Sequence, residues 1–241
     1  MLVSSDGIVI NYFDYSETSI ICKIFTSEFG LKSYIAKGVR KQKSKFKRNL
    51  FTPLNLVNII AYQKKSDGLL YIRDINQLQY CNEIATNINK VGISVYMCEL
   101  LSKTLQPNMQ DKDLFEFIKE QILFLDNKDV IIGNYPLFFA AKLTQHLGCF
   151  PLIDSYSENT YFNLLDGRFG TQKPNHMHYT DTYLSQLLHQ LFYSASNNQA
   201  MTEKINSDDK KRLFEAVHDY YKIHIPNFGE IKSYKILSAT Q

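Results

Sequence analysis

The chain has no tryptophan and only six prolines, ten glycines and four cysteines in 241 residues, and each scarcity excludes something. Without tryptophan, any ring that fills a core or stacks on a base is one of 16 tyrosines or 16 phenylalanines, and core filling is the commoner fate. Cys22, Cys81, Cys98 and Cys149 are scattered and form no Cys-x-x-Cys pair. The spacing that zinc or dithiol chemistry needs is missing, so they read as reduced, buried thiols. The glycines spell neither GxGxxG nor GxxxxGK[ST], which disfavours nucleotide hydrolysis. GxSxG and HExxH are absent too, leaving no nucleophile elbow and no helical zinc-hydrolase pair. No stretch approaches the roughly 18 uninterrupted apolar residues of a membrane span. The opening MLVSSDGIVI lacks a basic lead and a long apolar run, so a soluble cytoplasmic protein of one or two domains is expected.

What the chain does have is a local excess of one charge. Between Lys37 and Arg48 it reads KGVRKQKSKFKR, placing Lys37, Arg40, Lys41, Lys43, Lys45, Lys47 and Arg48 together with no acid. Basic side chains number 27 and acidic ones 24, so outside this run the acids lead by 24 to 20. A cationic projection on a mildly acidic body attracts a polyanion and holds it by releasing counterions, and no acid lies nearby in sequence to neutralise it. Nucleic acid leads this reading; a solvated loop and an anionic membrane surface are the alternatives. Phe46, flanked by Lys45 and Lys47, is placed to stack on a base beside the cations. Tyr34 is a second ring that could stack on a base, with core packing the favoured reading for it.

The pattern changes once along the chain. From Asp6 to about Gln79 short alternating segments are broken by turns: Gly7 to Tyr12, Ser19 to Thr26, Leu31 to Lys37, Leu54 to Gln63 and Leu69 to Asp74, with Lys65 to Gly68 as a hairpin turn. Period two argues strands, and five short strands avoid exposed edges most economically by closing into a small barrel. Ile84, Ile88, Val91, Val95, Cys98 and Leu101 then recur at helical spacing as one apolar stripe. Further helices are expected from Asp111 to Leu125, from Asn134 to Leu147, from Thr180 to Tyr193 and from Ser207 to His224, with capping residues at their starts. Thr160 to Leu164 and Arg168-Phe169 flank an Asp-Gly turn and read as a small β-hairpin insertion. The expected fold is α+β: residues 1–80 a barrel domain, residues 81–241 a helical domain with the insertion near 150–180.

Other constellations carry less. His176-x-His178 and the distant Cys149 have no recognised ligand spacing and read as loop residues. Asp14 and Glu17 read as turn and solubility residues, and Asp208-Asp209 as a helix start, with Lys210, Lys211 and Arg212 competing for their carboxylates.

Several stretches, taken in order, resemble the RecO family of bacterial recombination mediators. Gly7-Ile8-Val9 and Asp14 to Ile20 look like its first hairpin, Phe25-Thr26 with Gly30 like its FT...G turn, and Ala36 to Lys41 like its AKG-x-R-[RK] signature. Leu50 to Pro53 is similar to its LQPF-type segment before strand four, and Phe228 to Ser233 to its closing FxxxKS element. The resemblance implies an OB-fold barrel followed by a helical domain, acting without catalysis in DNA repair and recombination. It implies binding of single- and double-stranded DNA, annealing of complementary strands, association with RecR and with the acidic tail of the single-strand-binding protein, and indirect help to RecA. By that similarity Lys37, Arg40 and Lys41 match DNA-contacting positions; Lys43, Lys45, Lys47 and Arg48 join them on charge alone. Many members carry two Cys-x-x-Cys pairs for zinc after the third helix. Here only Cys149 lies in that region, so no metal or other cofactor is expected and the hairpin should pack without one. An RNA-binding OB protein in translation or RNA handling, and an enzyme with an unfamiliar site, are the competing readings.

Overall fold

A computed structural model describes residues 1–41, 44–62, 68–130, 132–199, 204–234 and 237. The chain divides into two compact units, Met1–Val130 and Ile131–Gln241.

The first unit is built on five strands, β1 (Leu2–Asp14), β2 (Ile20–Thr26), β3 (Gly30–Ala36), β4 (Leu56–Tyr62) and β5 (Leu70–Gln79), closed in the order β1-β2-β3-β5-β4. All neighbours are antiparallel except β3 and β5, which run parallel through Tyr34↔Leu70 and Ile35↔Tyr71. This is the OB-fold arrangement. Ile20, Cys22 and Ile24 of β2 face inward with Tyr34 and Ala36 of β3 in one buried cluster, as period two dictates. The alternate residues Ile21 and Phe25 are buried as well. Helix α3 (Lys112–Asp126) accounts for Phe25, whose ring lies 5.9 Å from that of Phe115.

Three expectations shift, among them the end of β5, which runs to Gln79 rather than stopping at Asp74. β1 begins at Leu2 rather than near Gly7, because the mixed Leu2–Asp6 segment is held by its ladder to β4, from Leu2↔Tyr62 onward. The stretch expected as one helix is two: α1 (Asn82–Thr86) and α2 (Ile88–Thr104) break at Asn87, whose side chain accepts the N–H groups of Asn89 and Lys90. The buried face of α2 is Ile93, Tyr96, Met97, Leu100 and Leu101, while Ile88 is 73% exposed and Val95 39%. A helix apolar on most sides does not reveal its buried face by spacing alone. Lys90 is buried; its ammonium donates to the Asn127 carbonyl at 2.7 Å and lies 3.9 Å from Glu83, tying the three helices together. Of the hairpin turn expected at Lys65 to Gly68, all but Gly68 lies outside the described residues, as does Lys43.

The second unit contains α4 (Tyr135–His146), α5 (Thr182–Ser196) and α6 (Ser207–His224), close to the expected bounds. The insertion has three strands, not two: β6 (Tyr161–Asn163), β7 (Arg168–Gly170) and β8 (Tyr179–Thr180), in the order β7-β6-β8. A two-residue strand leaves too little alternation to read. Asp181 caps α5 by accepting the Leu184 N–H, and Asn206 caps α6 by accepting that of Asp209. The Tyr221 hydroxyl donates to the Ala140 carbonyl at 2.8 Å, joining α6 to α4.

Of the thiols, Cys22 and Cys98 are buried and Cys81 and Cys149 partly so; all four are free. Burial pushes Cys22 and Cys98 up to about 12 and Cys81 and Cys149 to about 11, so none is a ready thiolate nucleophile at neutral pH.

Gly30 opens β3 at a φ of 65°, and a Cβ there would stand 1.9 Å from the Met109 carbonyl oxygen. Both the left-handed backbone and the close approach require glycine. G30A is expected to destabilise the chain by at least about 2 kcal/mol in urea unfolding; a loss under about 0.5 kcal/mol would show that the 105–110 segment does not pack on β3.

Candidate nucleic-acid interface

The segment between β3 and β4 is not a free projection. Val39, Phe46 and Phe51 are buried and belong to the barrel's core cluster, with Leu50 packed against it. Gly38, at a φ of 75°, turns the chain out of β3 and its carbonyl accepts the Lys41 N–H. A 3-10 turn at Arg48–Phe51 returns it towards β4. Apolar side chains thus point in while the basic ones point out: Lys37, Arg40, Lys41, Lys45, Lys47 and Arg48 are all exposed.

Phe46 does not stand where a base could stack on it. At 6% exposure in the core cluster, its ring is a plug rather than a platform for a base. Two lysines beside a phenylalanine in sequence look like a stacking site, but a lone large apolar residue in a polar loop is drawn to the nearest core. Tyr34 is core, as expected.

No acid lies near these cations in sequence, but two meet them in space. Asp14, at the end of β1, lies 3.6 Å from Arg40 and 3.3 Å from Arg48. Asp74 lies 3.3 Å from Lys45, whose ammonium also donates to the Arg73 carbonyl at 3.1 Å. Both acids are remote in sequence and brought in by barrel closure. They are half-exposed, and ion pairs of this kind contribute about 0.2–1 kcal/mol each. Six described cations facing two carboxylates leave an excess of four positive charges. The hydrogen bond to Tyr12, then the charges of Tyr12 and Asp14, raise the Arg48 pKa above its ordinary value. The Lys37 ammonium stands 4.7 Å from the Tyr71 ring centre.

Asp14 is therefore more than a turn residue. The β1–β2 hairpin that carries it also receives Arg40, whose backbone N–H donates to the Thr18 carbonyl and whose guanidinium donates to that of Ser16 at 3.0 Å. On this hairpin Phe13 and Tyr15 are 52% and 56% exposed. These are the aromatic residues that charge reasoning missed. The available signal was two rings flanking Asp14 in a turn, where no core is close enough to claim both. Arg73, Tyr12 and Tyr71 were missed because only the closed barrel brings them to the basic segment.

Among the described residues, no helix is long and apolar enough to cross a membrane. Residues 1–81 match the family model described as Recombination protein O N terminal, and residues 85–234 match Recombination protein O C terminal. The chain belongs to the RecO family. Similar proteins named DNA repair protein RecO come from Azobacteroides pseudotrichonymphae, 29% identical over 242 residues and 99% of both chains, and from Bacteroides fragilis, 27% identical over 239 residues and 98% of both. A third, from Flavobacterium psychrophilum, is 28% identical over 242 residues and 98% of both. This is a family of DNA repair and recombination proteins, and its N-terminal model coincides with the barrel and its basic face.

Asp14 holds two of the cations, Arg40 and Arg48, in ion pairs. D14N is expected to tighten binding of single-stranded DNA about two- to fivefold, with under about 1 kcal/mol change in stability. Fluorescence anisotropy at low salt measures it; weaker binding would mean that Asp14 is needed to position Arg40 and Arg48 for DNA.

Proposed function

We propose that the protein is a non-enzymatic mediator of DNA recombination and repair, whose barrel holds single-stranded DNA by its phosphates and promotes pairing of complementary strands. The observation that carries this reading is the outward-facing set Lys37, Arg40, Lys41, Lys45, Lys47 and Arg48, in excess over its carboxylates and seated on a closed barrel. Residues 1–80 are the nucleic-acid-binding domain in this reading, and Lys43 joins the set on charge.

Annealing brings together two polyanions whose repulsion must be relieved while their base edges stay accessible. Cations on sugar-phosphate oxygens supply the first requirement without touching the second. Ion pairs with Asp14 and Asp74 are weak enough for phosphate to take over Arg40, Arg48 and Lys45. Phe13 and Tyr15 supply exposed rings beside the cations, and stacking on a ring face leaves a base's pairing edge open. The family relationship extends the proposal to a role with RecR and the tail of the single-strand-binding protein, and to assisting RecA onto coated single strands in the bacterial cytoplasm. Double-stranded DNA, with its denser phosphates, is a ligand for the same face.

The triple variant K37E/R40E/K41E tests this. Annealing of complementary oligonucleotides, followed by fluorescence quenching at low salt, is expected to slow at least about tenfold, with no covalent change in either strand. Wild-type rates in that variant would remove the basic face from the mechanism, and a preference for RNA over DNA would favour a role in RNA handling.

A further inference from the structure

We propose that the outer face of the three-stranded sheet in the second unit is a separate site for single-stranded DNA. The inference rests on the reading above, because annealing needs two strands and one basic face accounts for only one.

The sheet has two unlike faces. Phe162 and Phe169 point inward, buried, with their rings 4.7 Å apart and Phe162 within 5.7 Å of Tyr220. The alternate residues Tyr161, Asn163, Arg168 and Tyr179 point the other way, as strand geometry requires. On that side lies a cleft of about 570 Å³, lined among others by Tyr161, Asn163, Arg168, Gln172, Lys173 and His176. This is room for a nucleotide.

The chemistry of the lining suits one kind of occupant. Arg168 and Lys173 are exposed cations. The only acid lining the cleft is Asp166, 3.7 Å from the Arg168 guanidinium and accepting from the Asn163 amide at 2.8 Å. That half-exposed pair is open to exchange for a phosphate. The Lys173 ammonium lies 5.6 Å from the Tyr179 ring centre, and Tyr179 meets Tyr161 at 5.8 Å and 74°, forming an aromatic corner beside the cations. Cations interleaved with rings are what a flexible single strand uses: phosphates on Arg168 and Lys173, a base against Tyr161. A duplex, with its bases stacked inside, has no use for the corner.

A four-way comparison in the full chain tests this with fluorescent oligo-dT: wild type, K37E/R40E/K41E, R168E/K173E and the two sets combined. R168E/K173E alone is expected to bind one strand within about threefold of wild type yet to anneal at least about tenfold more slowly. The barrel-reversed chain is expected to retain weaker, salt-sensitive binding that falls at least about tenfold further in the combined variant and survives in R168K/K173R. K173E alone, at an exposed residue, keeps the test open if R168E disturbs β7; it should lower the residual binding about threefold. Residual binding that ignores R168E/K173E, or none at all in the barrel-reversed chain, would overturn the proposal. If the barrel reversal instead left affinity untouched, the barrel reading would fail while a loss on R168E/K173E still upheld the cleft.

Discussion

Burial of Val39, Phe46 and Phe51 in the barrel core is the contact on which the arrangement of the basic segment depends. Burying one such side chain contributes about 1.5–3 kcal/mol, whereas each exposed ion pair around the segment contributes about 0.2–1 kcal/mol. The apolar anchors therefore set the path of the chain, and the charges take the positions that path leaves them. Because the anchors alternate with lysines and arginines, seating them turns the cations outward together. Asp14 and Asp74 trim the excess without abolishing it, and pairs so weak are open to replacement by a ligand's oxygens. A loop held by salt bridges would lose its shape when DNA took those bridges over; one held by a phenylalanine would not.

That division of labour suits the proposed role of holding a strand without sealing it. Phosphate contacts fix a nucleic acid's position and carry no sequence information, and under the proposed function the exposed rings at the β1–β2 hairpin would meet base faces rather than edges. Barrel closure brings together residues from three parts of the chain: the hairpin with Phe13, Asp14 and Tyr15, the basic segment, and β5 with Tyr71 and Arg73.

Much of the fold was legible in local pattern. Alternation at Ile20, Cys22 and Ile24 marked a strand whose facing partners are Tyr34 and Ala36, and helical spacing at Leu114, Phe115, Ile118 and Ile122 found a face that is buried. Pattern failed where the cause was non-local. Leu2–Asp6 is a strand only because β4 pairs with it, and the exposed Val95 was indistinguishable in spacing from the buried residues of α2. The candidate site was half legible: the charges were plain, but their carboxylate partners lie some 25–35 positions away in sequence, beyond any reading of neighbours. Phe46 was misread because stacking and core filling ask for the same residue, and only burial separates them.

The most direct measurement is the salt dependence of single-stranded DNA affinity for the wild-type chain. Four to six phosphate contacts at about 0.7 each give a log–log slope of roughly −3 to −4. A slope shallower than about −1 would contradict the account, because the cations displayed by the barrel would then not be meeting phosphates.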